Sequence, residues 1–217
     1  MTSKQLLGLI EKGEGSKVEF KQRFSDYEKI AKEIIAFANT HGGIIIFGVT
    51  DNGKVYGVES EKSEAELIKK TLKEYCEPVP KYEFHFVELY GKELVVLEIL
   101  ESELKPHRIQ DYMNKLDLNT AQVFIRVNDK SIPASKEMIK LMQTGTKKLK
   151  LKNYSIGKNE KAVFEYLQEN DFITSKQLTK LANISARRAS RTLINLVRAN
   201  LLGIHTKDNG ENYFTAI

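Results

Sequence analysis

The chain has 217 residues, 41% of them hydrophobic, and carries a formal net charge of +5. This is enough for one or two domains with real cores, and no run approaches the roughly 20 apolar residues that a membrane span needs. Cys76 is the only cysteine, which excludes an internal disulfide and a thiolate metal site; the N-terminal segment lacks the pattern of a signal peptide, and a cytoplasmic location is expected.

From the N-terminus, Thr2 or Ser3 caps a helix to about Glu11, and Lys17 to Lys21 reads as a short strand. Asp26 opens a helix that stops near Thr40. The nearly continuous apolar run Ile44 to Val49 is a buried strand. The turn Asp51-Asn52-Gly53 then predicts a hairpin with Val55 to Val58 as the second strand. Ser63 to Tyr75 has helical spacing. Tyr82 to Glu88 and Leu94 to Leu100 flank Tyr90-Gly91-Lys92, a second hairpin. Gln122 to Val127 is a further strand, and Ser135 caps a helix to Gln143. This order predicts an α+β domain over 1–143, with a mixed or antiparallel sheet and flanking helices.

Residues 144–157, with four lysines and two glycines, read as a basic linker able to touch a phosphate backbone. Residues 158–217 hold three amphipathic helices, then two short strands around Asp208-Asn209-Gly210, the layout of a winged helix-turn-helix domain.

Charge is divided unevenly between these parts. Residues 1–143 hold 21 basic and 23 acidic side chains, a net of −2, whereas 144–217 hold 13 and 6, a net of +7. The positive excess predicts a polyanion partner for the C-terminal third. In the third helix of that part, Arg187, Arg188 and Arg191 lie in the first turns and Arg198 near the end, positions from which a recognition helix reaches base edges or phosphates. Ser185, Ser190 and Thr192 are candidate phosphate donors, and His205 and Lys207 candidate contacts from the hairpin. A second basic group comprises Lys105, His107, Arg108 and, on a later strand, Arg126.

The glycine pair Gly42-Gly43 follows a helix C-terminus, where the dipole disfavours anions. No P-loop pattern occurs in the chain. The pair therefore reads as a helix stop and tight strand entry rather than a phosphate cradle.

Three motifs carry a family resemblance: Glu14-Gly-Ser-Lys-Val-Glu19-Phe-Lys21, Ala36-Phe-Ala-Asn39-Thr40-His-Gly42-Gly43, and Gly48-Val-Thr-Asp51-Asn-Gly53 with Gly57. Together they resemble the Schlafen AlbA-type domain, also called divergent AAA-like and given a DNA- or ATP-binding label. The resemblance spans roughly Glu11 to Gln143, and bacterial members of this type often end in a winged helix. It implies an α/β domain that handles nucleic acid. It also implies that Glu14, Glu19 and Asp51 match the acidic residues with which vertebrate Schlafen proteins cleave RNA.

The expected function is a DNA-binding transcriptional regulator acting on duplex DNA, without a cofactor or a membrane partner. The alternative is an endoribonuclease acting on structured RNA, with Mg²⁺ or Mn²⁺ held by Glu14, Glu19 and Asp51. A homodimer would supply the second lobe of a Schlafen-like clamp.

Overall fold

The structure is a computed structural model describing residues 1–144 and 155–217, so most of the basic linker (145–154) lies outside the described residues. The chain forms two compact units, Met1–Pro133 and Ala134–Ile217.

In the first unit, helix α1 (Ser3–Lys12) begins in a capping box: the Thr2 side chain accepts from the Gln5 amide and the Gln5 side chain reaches back to the Thr2 amide. Strand β1 (Val18–Lys21) leads to α2 (Tyr27–Asn39), whose first turn is closed by the Asp26 carboxylate accepting from Lys29 N. Strand β2 (Gly43–Phe47) follows, then α3 (Glu61–Tyr75), β3 (Cys76–Glu77), β4 (Tyr82–Leu89), β5 (Lys92–Ile99), β6 (Arg108–Ile109), β7 (Phe124–Val127) and β8 (Lys130–Pro133).

The main sheet has the order β1-β2-β5-β4. Strands β1 and β2 are parallel and joined through α2, while the other pairs are antiparallel. Both faces of the sheet are covered. On one, Ile30, Ile34 and Phe37 of α2 and Ile68 and Leu72 of α3 pack on Ile45, Phe47, Val95 and Leu97. On the other, Leu6 and Ile10 of α1 pack on Phe20, Ile46, Leu94 and Val96. Burial on both sides explains why β2 and β5 read as unbroken apolar runs rather than alternating ones. Each fully buried Ile, Leu or Phe here contributes on the order of 1.5–3 kcal/mol relative to exposure.

The fold is thus the α+β class expected, with a mixed sheet and flanking helices. One element is corrected. Val55 to Val58 is not a regular strand: beyond β2 only the single bridge Val49 to Val55 forms. Gly48 has φ +99°, and its carbonyl accepts from both Tyr56 N and Gly57 N, so the chain folds over itself instead of extending a ladder. The β7–β8 hairpin and the short β3–β6 pair went unforeseen.

The second unit comprises α4 (Lys136–Thr144), α5 (Lys158–Glu169), α6 (Ser175–Leu181), α7 (Ala186–Arg198) and the antiparallel pair β9 (Leu202–Thr206) and β10 (Asn212–Ala216). Val163, Ile173, Leu178, Leu193, Leu196, Leu202 and Phe214 form its core, joined by Leu141 of α4. Among the described residues, no helix is long and apolar enough to cross a membrane.

Candidate nucleic-acid interface

The acidic group sits where α1 passes into β1. Glu14 folds back so that its Oε1 accepts from Phe20 N at 2.8 Å. Burial pushes its carboxyl above the ordinary carboxylate value, with Glu19 and Asp51 adding repulsion; the Phe20 amide and Lys21 offset part of this. The three acids named by the sequence therefore share one electrostatic neighbourhood.

They do not form a ready ligand set. Glu19 is buried and its two oxygens are taken, one by the Lys21 ammonium and the other by Arg126 Nη1 at 2.9 Å. Asp51 is exposed in the turn. Oxygen donors of this kind suit Mg²⁺ or Mn²⁺, but Glu19 would have to surrender its ion pairs to coordinate one, and no catalytic step follows from the observed arrangement. Among the described residues, the three side chains whose ligand atoms lie within 4.8 Å of one another are Glu83, His85 and Glu98, elsewhere on the sheet.

Arg126 is the main correction to the sequence reading. It was expected to present charge to a polyanion; its side chain is 1% exposed. Nη1 donates to Glu19, to Glu33 at 3.0 Å and to Ser131 Oγ, and Nη2 donates to the carbonyl of Gly15 at 2.7 Å. The guanidinium also lies 4.7 Å from the centre of the Phe37 ring. Arg126 thus ties β7 to β1, α2 and the loop before β1.

The Ala-Phe-Ala-Asn-Thr-x-Gly-Gly motif surrounds this hub. Asn39 Nδ2 donates to the carbonyls of His107 and Phe124, and its Oδ1 accepts from His107 N at 2.7 Å. Thr40 Oγ1 accepts from Arg126 N. A Cβ on Gly42 would stand 2.5 Å from the carbonyl of Ile99. Asn39 and Glu33 were not singled out from sequence; Asn39 lay inside the quoted motif, whereas nothing local distinguishes Glu33 from other helix-surface glutamates.

The three other members of the expected basic group also make internal contacts. Arg108 is buried, donating to Asp111 and to the carbonyl of Met113. His107 is fully buried with Nδ1 2.6 Å from the carbonyl of Pro78, and burial lowers its pKa, so it stays neutral. Lys105 donates to the Thr40 carbonyl and to Glu101. The cluster is a set of structural ties, and the polyanion role expected of Arg108 and Arg126 is withdrawn.

In the second unit the arginines are differently placed. Ser185 caps α7, and Arg187, Arg188 and Arg191 are all exposed, while Ala189, Leu193, Ile194 and Leu196 point into the core. Arg198 is half-buried. Ser190 and Thr192 are buried, and Ser190 Oγ donates to Glu137, so neither is free to meet a phosphate as expected. On β9 and β10, His205 stacks on Tyr213 with ring centres 5.0 Å apart. The Lys207 ammonium lies 5.1 Å from the Phe172 ring and 3.6 Å from Glu211.

These features define an α+β domain organised by a buried arginine, followed by a helical unit whose exposed arginines share one helix end. The profile of the family described as Schlafen, AlbA_2 matches residues 14–135, more than half of the chain. The chain belongs to the Schlafen AlbA_2 family, and that membership points to nucleic-acid binding. Two solved structures are similar to parts of it. One, from Corynebacterium diphtheriae, is 19% identical, with 55% of this chain and 26% of that chain covered and a TM-score of 0.39. The other, the N-terminal domain of a RecG-related protein from Nitrosomonas europaea, is 23% identical, with 54% and 84% covered and a TM-score of 0.40. The chain spans about a quarter of the length of the corynebacterial chain that it matches.

Proposed function

We propose that this protein binds duplex DNA as a transcriptional regulator, with its second unit serving as a winged helix-turn-helix domain. The observation that carries this reading is the exposure of Arg187, Arg188 and Arg191 on the first turns of α7, the third helix of the α5-α6-α7-β9-β10 order. Guanidinium groups at that end of a recognition helix reach guanine edges or phosphates in the major groove. Lys207 adds charge from the hairpin. The net of +7 over 144–217 raises the local concentration of such a ligand. The test is duplex binding by the whole chain and by an Arg187→Ala, Arg188→Ala, Arg191→Ala variant over a range of salt. Each lost phosphate contact should lower the salt slope by about 1. Unchanged affinity in a folded variant would remove α7 as the contacting element.

A second reading, a metal-dependent endoribonuclease, is favoured by one observation: Glu14 feels the charges of both Glu19 and Asp51. Under it, Mn²⁺ or Mg²⁺ should promote cleavage of structured RNA, and Glu14→Gln or Asp51→Asn should abolish cleavage without loss of duplex DNA binding. Absence of metal-dependent cleavage by the wild-type protein would end this reading.

A further inference from the structure

The two edges of the main sheet are finished differently. At β1, the outward-facing backbone is already used: Phe20 N donates to Glu14, and the carbonyl of Val18 accepts from Gly15 N. At β4, the other edge, the chain is long and bare. Leu100 N donates to the carbonyl of Lys81, and the Leu89–Lys92 pair closes a two-residue turn, so the odd-numbered residues of β4 bond to β5. The N–H and C=O groups of Tyr82, Phe84, Phe86 and Glu88 are therefore directed away from the sheet. Among the described residues, only the Glu88 carbonyl finds a partner there, the Ser3 hydroxyl at 3.2 Å.

No lysine, proline or glycine interrupts Tyr82–Leu89, although these residues commonly guard exposed edges. The same even-numbered residues carry an aromatic ladder. Tyr82 meets Phe84 edge-on at 5.5 Å, and Phe84 stacks on Phe86 at 6.1 Å. Tyr82 is 36% exposed and Phe86 51%.

We propose that β4 pairs antiparallel with β4 of a second copy of this chain, about a two-fold axis at Phe84. Three observations select that register. Outward-directed residues must face outward-directed residues, so even positions pair with even ones. Pairing that used Glu88 would compete with Ser3, whereas an axis at Phe84 needs only Tyr82, Phe84 and Phe86. That axis sets Tyr82 against Phe86 of the second copy and Phe84 against its own counterpart, which continues the ladder without a break. It also sets Glu83 against the imidazole of His85 in the other chain. Within its own chain Glu83 stands directly across from Glu98, a like charge, and His85 Nε2 lies 3.0 Å from that same Glu98, so the pairing adds the second copy's imidazole beside Glu83. The two sheets then become one of eight strands. The paired area belongs to the small interface class, below about 1,200 Å², which is typical of weak association.

The test is sedimentation equilibrium on the whole chain without nucleic acid, across a micromolar concentration series. A monomer–dimer equilibrium is expected, and Phe86→Lys should raise the dissociation constant by about tenfold or more, because each lost pair counts twice across the axis. Register is read by mild oxidation. A variant carrying both Glu83→Cys and His85→Cys should form interchain disulfides. Glu83→Cys alone should not, because its counterpart lies diagonally, beyond disulfide reach. The native Cys76 is buried, its thiol pushed up to about 12, and does not interfere. A protein that stays monomeric throughout, a Phe86→Lys variant that dimerises as well as wild type, or equal cross-linking of the single variant would overturn the proposal.

Discussion

The guanidinium of Arg126 and the carboxylate of Glu19 lie 2.9 Å apart across 107 residues of chain, and Glu33 completes the arrangement from 93 residues away. Two carboxylates are thus removed from water beside two cations, Arg126 and Lys21. A buried pair of this kind adds little over a well-packed apolar substitute, yet it is costly to break from one side. Arg126→Met should therefore cost about 3–5 kcal/mol, because it leaves Glu19 and Glu33 without their shared cation. Urea unfolding measures this. Adding Glu19→Gln and Glu33→Gln to the same variant should recover part of the loss, a non-additivity expected of side chains in one network. A loss below about 1 kcal/mol in the single variant would show that the network is not a structural hub.

The glycine pair makes a separate prediction. A Cβ on Gly43 would stand 2.2 Å from a ring carbon of Phe37 and 2.9 Å from the carbonyl of Lys17. Phe37 itself lies beneath Arg126, so it has no free direction in which to move. Gly43→Ala should destabilise the protein by about 1–3 kcal/mol through overpacking. Thermal unfolding of the variant checks this, and a neutral outcome would mean that the ring relaxes at no cost.

Much of this architecture is legible in the amino-acid sequence. Thr2, Asp26 and Ser185 announce their helices through the hydrogen bonds that they make. Asp208-Asn209-Gly210 marks a hairpin that forms between the strands read from sequence. The limits have a common cause. Arg126 sits in a short strand where an arginine ordinarily faces solvent, and its partners are about a hundred positions away. Local pattern therefore assigns it to the surface; Arg108, by contrast, is held by near neighbours, Asp111 and the carbonyl of Met113, in a loop whose fold the local pattern does not reveal. Val55 to Val58 has the composition of a strand, but Gly48 turns the chain before a ladder can form. The motif residues Asn39, Thr40 and Gly42-Gly43 carry a family signature in the sequence; only three-dimensional packing shows that they brace Arg126 and the β2 entry.

Glu14 supplies a pH test. Its carboxyl titrates above the ordinary value of 4.5 in the folded chain, chiefly through burial. The folded state then holds the proton more tightly than the unfolded state, so ionisation of Glu14 lowers stability. The penalty is absent well below the ordinary value and develops as pH rises through it. Glu14→Gln keeps an acceptor for the Phe20 amide and removes the penalty. The variant should therefore gain on wild type as pH is raised from about 4 to 7 in urea unfolding. A difference that is flat with pH would mean that Glu14 is solvated like an ordinary surface glutamate.

The last prediction concerns where an independently folding C-terminal piece begins. From sequence, the fragment starting at Lys158 holds three helices and a hairpin and looks sufficient. The structure shows that α4 belongs to the same compact unit. Leu141 enters the core beside Leu193 and Leu196, Glu137 accepts from Ser190 Oγ at 2.7 Å, and Ser135 accepts from Asn212 Nδ2 at 2.6 Å. Starting at Lys158 exposes apolar core surface and strands two buried polar groups, each worth about 1–3 kcal/mol when left unpaired. A fragment beginning at Ala134 should thus unfold cooperatively and at a higher temperature than one beginning at Lys158. Within the longer fragment, Leu141→Ala should cost about 2–5 kcal/mol, the range for emptying a buried leucine site. Far-ultraviolet circular dichroism of both fragments decides the matter. Equal melting temperatures would show that α4 is an accessory to this unit, and the shorter fragment would then suffice for the test of duplex binding proposed above.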